Sequence, residues 1–166
     1  TLKRARPAEK AELPPVELPP VIELPLQAYL PDDYVEEEDL RIRLYQRMTS
    51  LQSEEELDSL RGELEDRFGL LPSATENLLY VLRVRLLASR AGVLAVGRAD
   101  NSLVLKLNQR AQERASAMVA RFGRRAWVGR GQMWLALAED QTDWQDLLLA
   151  LLERLGEAPA QHGRAQ

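Results

Sequence analysis

The chain has 166 residues, 45% hydrophobic and 29% charged, with a formal net charge of −4, which is enough for one globular domain with a core of its own. With no cysteine, disulfides and thiol chemistry are excluded, and the single histidine, His162 in a polar tail, leaves no basis for a histidine metal site or catalytic triad. No apolar run approaches the ~20 residues that span a bilayer, no signal peptide opens the chain, and the start at Thr1 without methionine points to a piece of something longer.

Seven of the nine prolines fall within the first 31 residues. Proline removes backbone donors and fixes φ, so residues 1–20 read as an extended linker, with a short strand possible in 21–26. In the next stretch, AYLPDDYVEEED, Tyr29 and Tyr34 bracket a Pro-Asp-Asp turn, and acidic residues precede a helix start. A helix is predicted from about Glu37 to Thr49, with Leu40, Leu44, Met48 and Leu51 on one side and Ile42 and Tyr45 on another. Two apolar stripes predict burial against two neighbours.

Three Ser/Thr-x-x-Glu/Gln patterns read as reciprocal capping boxes at helix starts: Ser53 with Glu56, Ser73 with Glu76, and Thr142 with Gln145. In the first of these helices Leu57, Leu60, Leu64 and Phe68 form one core-facing stripe. Gly69 stands where a left-handed residue would stop it, with Pro72 soon after. The side away from the stripe carries Glu63 and Asp66, three residues apart and so neighbours, with Glu56 on the same face further back. Gly62 lies beside them, either as noise or as room for a close approach.

The helix from Ser73 to Ala91 is apolar over most of its circumference and ends at Gly92, which marks it as the central helix. Its arginines, Arg83, Arg85 and Arg90, are expected to extend outward or to meet acidic residues. The hydrophobic period then changes to two. VLAV and SLVLKL read as a hairpin turning at Asp100-Asn101, with Leu103, Leu105 and Leu107 buried. A helix from about Gln109 to Phe122 should end at Gly123. A second hairpin, AWV and MWLAL around GRGQ, brings in Trp127 and Trp134, expected as core residues. A leucine-rich helix from Asp143 to Leu155 closes the domain, and residues 158–166 read as a disordered tail. The expected fold is α+β: one domain over 21–157, about five helices, and a small, mostly antiparallel sheet of two hairpins plus an N-terminal strand.

Charge is distributed unevenly. Between Asp32 and Phe68 there are thirteen acidic residues against five arginines, whereas between Arg83 and Gly131 there are eleven basic residues against two acidic. Such a layout suits docking to charged protein surfaces, or pairing between the two halves, more than wrapping a polyanion. Neither G-x-x-x-x-G-K-[ST] nor G-x-G-x-x-G occurs, so the familiar nucleotide loops have no support, and no cofactor is expected. Glu63 with Asp66 is the best-spaced carboxylate pair, but no nucleophile, metal ligand or apolar pocket accompanies it, so catalysis and a small-molecule substrate are not expected. The cluster Arg121, Arg124, Arg125 and Arg130, interleaved with the two tryptophans, has the composition of a nucleic-acid patch and supplies the alternative reading.

IELPLQAYLPDDYV at 22–35, RLYQRM at 43–48 and ELEDRFGLLPSATENLL at 63–79 together resemble the C-terminal domain of the bacterial transcription-repair coupling factor, Mfd. From Val93 onward the likeness is one of element order. The family's full-length members are ATP-driven DNA translocases of the cytoplasm that remove stalled RNA polymerase and recruit the damage sensor UvrA. The resemblance implies a non-catalytic regulatory domain that folds back on a UvrB-like module of the same polypeptide, masks the surface UvrA needs, and restrains ATP use and translocation. It assigns the contact to Glu63 and Asp66, within E-x-x-D-R-F-G, with Glu56, Gly62 and Arg67 around them. Polymerase and DNA would be partners of the parent protein only, and no membrane is implied.

Overall fold

A computed structural model describes residues 18–139 and 142–157; most of the expected linker and all of the expected tail lie outside them. Strand β1 (Val21–Glu23) leads to α1 (Glu38–Thr49), α2 (Glu54–Phe68) and α3 (Ser73–Ala91). Strands β2 (Val93–Ala99) and β3 (Ser102–Leu107) follow. Then come α4 (Gln109–Met118), a 3₁₀ segment (Val119–Arg125), β4 (Ala126–Gly129), β5 (Gln132–Ala136) and α5 (Trp144–Gly156). This is the expected α+β fold. The five strands form one sheet in the order β1-β2-β3-β5-β4, with β1 parallel to β2 and every other pairing antiparallel.

Two hydrophobic cores share α3. The helical core joins Leu30 and Val35 of the lead-in to Leu44 and Met48 of α1, Leu57, Leu60 and Leu64 of α2, and Leu79 and Leu82 of α3. The sheet core joins Val84, Leu87 and Ala91 of α3 to the inward residues of the strands, Ala111 and Ala115 of α4, and Leu148, Leu152 and Leu155 of α5. Each fully buried leucine contributes about 1.5–3 kcal/mol relative to an exposed one. Because α3 is apolar nearly all round, it can face both cores, one on each side: Leu79, Leu82 and Leu86 turn to the helical core, and Tyr80, Val84, Leu87 and Ala91 to the sheet core.

Hairpin chemistry follows local rules. Arg130 and Gly131 form the two-residue turn of the second hairpin with φ of 55° and 74°, the double positive φ of a type I′ turn. In the first, strand pairing runs up to Ala99 and Ser102, leaving Asp100 and Asn101 as the turn, with Asp100 at φ 53°.

Several expectations fail in informative ways. Only Ser53 caps its helix by side chain, its Oγ accepting from the Glu56 amide at 3.1 Å, and the return bond is displaced by one residue: the Glu56 carboxylate accepts from the amide of Gln52, at 2.7 Å, in place of that of Ser53. At α3 the cap position is taken by Pro72, which has no side-chain acceptor, and at α5 by Asp143, without a side-chain cap bond. The predicted helix over 109–122 turns into the 3₁₀ segment at Val119, and Gly123 adopts φ 61°, ψ −137° to aim the chain into β4. The second apolar stripe of α1 is not buried: Ile42 is exposed, and Tyr45 spends its hydroxyl as acceptor for the Leu30 amide at 2.7 Å. The tryptophans are not core residues either, Trp127 being 52% and Trp134 37% exposed. Both lie on the sheet face opposite the helices, because their neighbours Val128, Met133 and Leu135 take the inward positions.

Candidate interdomain docking site

The acidic surface is built on the last two turns of α2. Leu57, Leu60 and Leu64 anchor the helix in the helical core, and half-buried Phe68 packs against the Tyr34 ring at 5.7 Å with a 57° tilt. Gly69 ends the helix at φ 91°, ψ −166°, a conformation open essentially to glycine alone, though not the left-handed one expected. The Tyr34 hydroxyl lies 2.9 Å from the Gly69 carbonyl and 3.2 Å from that of Leu64, so it donates to the carbonyl end of the helix. Burial first, and the charge of Glu65 second, push its pKa above the ordinary tyrosine value.

The structure treats the two central carboxylates differently. Glu63 is held within the domain, 2.8 Å from Arg47 and 3.5 Å from Arg67. Asp66 is exposed and has no hydrogen-bond or ionic partner among the described residues. Arg67 also covers the Phe68 ring at 5.2 Å. Glu65 reaches Arg61 only at 3.9 Å, since Arg61 is engaged by Glu76 through two bonds of 2.9 and 2.8 Å. Glu56 is not brought into this group. It precedes Asp66 by ten residues, about 15 Å along the axis, and its carboxylate closes the start of the helix. Beside Gly62 a Cβ would meet nothing within 4 Å, so the glycine leaves open surface and serves no packing within the domain.

Asp66 therefore stands in an unfavourable place for its own domain. Carboxylates stabilise helix starts, as Glu54, Glu55 and Glu56 do here, and oppose the partial negative charge at helix ends. Elsewhere the acidic helix does pair internally, as expected for the α3 arginines. Arg83 joins Glu54 and Asp58, the latter at 2.8 Å, and Arg90 approaches Glu54 at 3.6 Å. Partial burial alone would lower the pKa of Arg83, but the bonds to Asp58 and Glu54 outweigh it and raise it. Sequence reasoning missed the pairing of Asp58 with Arg83 and the Tyr34 contact; an i, i+4 acidic spacing from Glu54 to Asp58 was the available signal for the first.

A family model described as the TRCF domain matches residues 24–118. The chain belongs to the TRCF domain family. Curated relatives agree: it is 41% identical over 91 residues to the transcription-repair-coupling factor of Haemophilus influenzae, covering 55% of this chain, and 32% identical over 111 residues to that of Staphylococcus haemolyticus, covering 67%. It spans only 8–9% of the length of those proteins. The crystal structure of the C-terminal domain of a transcription-repair coupling factor superposes with a TM-score of 0.68 over 84% of this chain and 94% of that one, at 23% identity, which speaks to the fold.

In this TRCF domain the acidic end of α2 lies inside the matched region, whereas the 3₁₀ segment, the second hairpin and α5 lie beyond it. Arg121, Arg124, Arg125 and Arg130 are all exposed there. Among the described residues no group of histidine, cysteine and acidic side chains could hold a metal, and no helix is long and apolar enough to cross a membrane.

Proposed function

We propose that this TRCF domain is a non-catalytic latch. It docks through the end of α2 on a UvrB-like module of its own polypeptide, masks the surface that UvrA needs, and restrains ATP-driven translocation until stalled RNA polymerase is engaged. The observation that carries this reading is Asp66: an exposed carboxylate at the negative end of a helix, without a partner among the described residues and a cost to its own domain. A partner's arginine would remove that cost. Glu63 can join the contact by exchanging Arg47 for an incoming guanidinium, because exposed ion pairs are worth only ~0.2–1 kcal/mol and trade at little expense. A contact assembled from such small terms holds a repressed state and still releases, as a switch must.

The test measures binding of the 166-residue chain to the separately expressed UvrB-like module. Asp66→Arg with Glu63→Arg should weaken it at least tenfold and raise UvrA affinity in the intact protein. Unchanged affinity in both assays would overturn the latch.

A further inference from the structure

The face of the sheet turned away from the helices has no covering element among the described residues, and its composition is unusual. A single row crosses all five strands in register: Glu23 beside Gly97, Gly97 beside Val104, Val104 beside Trp134, and Trp134 beside Trp127. Glycine and valine keep the middle of the row low. The two indoles rise at the β5–β4 end. Trp127 lies across Gly129, where a Cβ would come within 3.0 Å of the indole, and Trp134 donates its ring N–H to the Gln132 side chain at 3.2 Å. Both side chains are thus seated on the sheet while remaining substantially open to solvent.

Cations frame this end of the sheet. Lys106 neighbours Gln132 on the same outward row of β3, Arg130 is at the hairpin tip, and Arg125 is held at the edge by two bonds of 3.2 Å to the Ala136 carbonyl. Arg124 precedes it. None of the four has a carboxylate partner among the described residues, in contrast to Arg61, Arg83 and Arg90 on the helical side. Adjacent aromatic faces on an open sheet, with unneutralised guanidinium and ammonium groups around them, match a polymer that alternates flat bases with phosphates. An acidic protein surface would use the cations but leave the indoles idle.

We infer that the outer sheet face, through Trp127, Trp134, Lys106, Arg125 and Arg130, binds single-stranded nucleic acid by stacking bases on the two indoles and holding the backbone with the cations. This site is separate from the α2 end and does not depend on the latch.

The test titrates a fluorescein-labelled oligothymidylate with the 166-residue chain and follows anisotropy together with tryptophan emission. Buried Trp144 supplies an internal monitor of folding in the variants. Binding should be saturable, should quench Trp127 and Trp134, and should fall with salt with a log–log slope of about −2 to −3 for three or four neutralised phosphates. Trp127→Ala and Trp134→Ala should each weaken it about tenfold. Lys106→Ala with Arg130→Ala should flatten the salt slope by roughly 1.4. Asp66→Ala should leave binding unchanged. The proposal fails if no binding is seen at low salt, if tryptophan removal has no effect, if a duplex of the same length binds as tightly, or if polyglutamate displaces the oligonucleotide at equal charge concentration.

Discussion

Replacing Asp66 by alanine should stabilise the isolated domain while impairing its docking. Two terms act in the same direction. Removing a carboxylate from the last turn of α2 relieves an unfavourable interaction with the helix dipole worth ~0.3–1 kcal/mol. Exchanging aspartate for alanine within a helix gains roughly another 0.5 kcal/mol in propensity. No compensating loss is expected, since Asp66 has no partner among the described residues. The sum, about 1 kcal/mol, corresponds to a rise in Tm of about 4 °C for a domain of this size. Thermal unfolding followed by circular dichroism at low salt reads it directly. In 1 M salt the dipole part should vanish, because the screening length shrinks to ~3 Å, and about half the gain should remain. In the docking assay the same variant should bind several-fold more weakly. A lower Tm for Asp66→Ala would refute this reasoning, because it would mean that Asp66 holds the domain together and is not held in reserve for a partner.

Three further outcomes are expected. Tyr34→Phe removes the hydroxyl that serves the Gly69 and Leu64 carbonyls but keeps the ring against Phe68, so denaturant unfolding should register a loss of about 1 kcal/mol with an unchanged m-value. Gly62→Ala, in open space, should stabilise by roughly 0.5–1 kcal/mol, whereas Gly92→Ala should cost about 2–3 kcal/mol, because φ is +77° and the new Cβ falls 2.6 Å from Asn108; equal effects in urea unfolding would contradict the assignment. Tyr80 is half-buried and lies near Asp146, and desolvation first and that charge second raise its pKa above the unfolded value of 10.0. A raised folded pKa favours the protonated form, so its contribution is complete below about pH 10 and is lost as pH rises beyond it. Tyrosinate absorbance of Tyr80 should therefore appear together with loss of the circular dichroism signal, not before it.

The elements that were legible in the sequence are those whose signals are local. Leu57, Leu60 and Leu64 declare a helix face through spacing alone, Leu103, Leu105 and Leu107 declare a strand face, and Arg130-Gly131 declares its turn through chirality. What failed depended on competition between neighbours or on distant parts of the chain. Ser73 fits the capping pattern, yet Pro72 before it already supplies the extended cap geometry, at φ −65° and ψ 159°, and Glu76 is drawn to Arg61. Trp127 and Trp134 look like core residues by type, but strand alternation fixes only that they share a face with each other, not which face the helices cover. At the acidic surface, spacing puts Glu63 and Asp66 on one face. The i, i+4 pair of Glu63 with Arg67 was readable from spacing, but the closer contact, with Arg47, depends on where α1 brings that residue. The division into two cores is equally invisible locally, since it depends on which side of α3 meets which partner.

That shared helix has a mechanical consequence. The nineteen residues of α3 present opposite sides to the two cores, so neither lobe can shift against the other without unpacking a face of this one continuous helix. The acidic tip of α2 and the tryptophan-bearing sheet are therefore held like two fittings on one bracket. Whatever seizes one fitting fixes the distance and angle at which the other is offered, so two small grips separated by a stiff span can act as a gauge for the spacing of their targets.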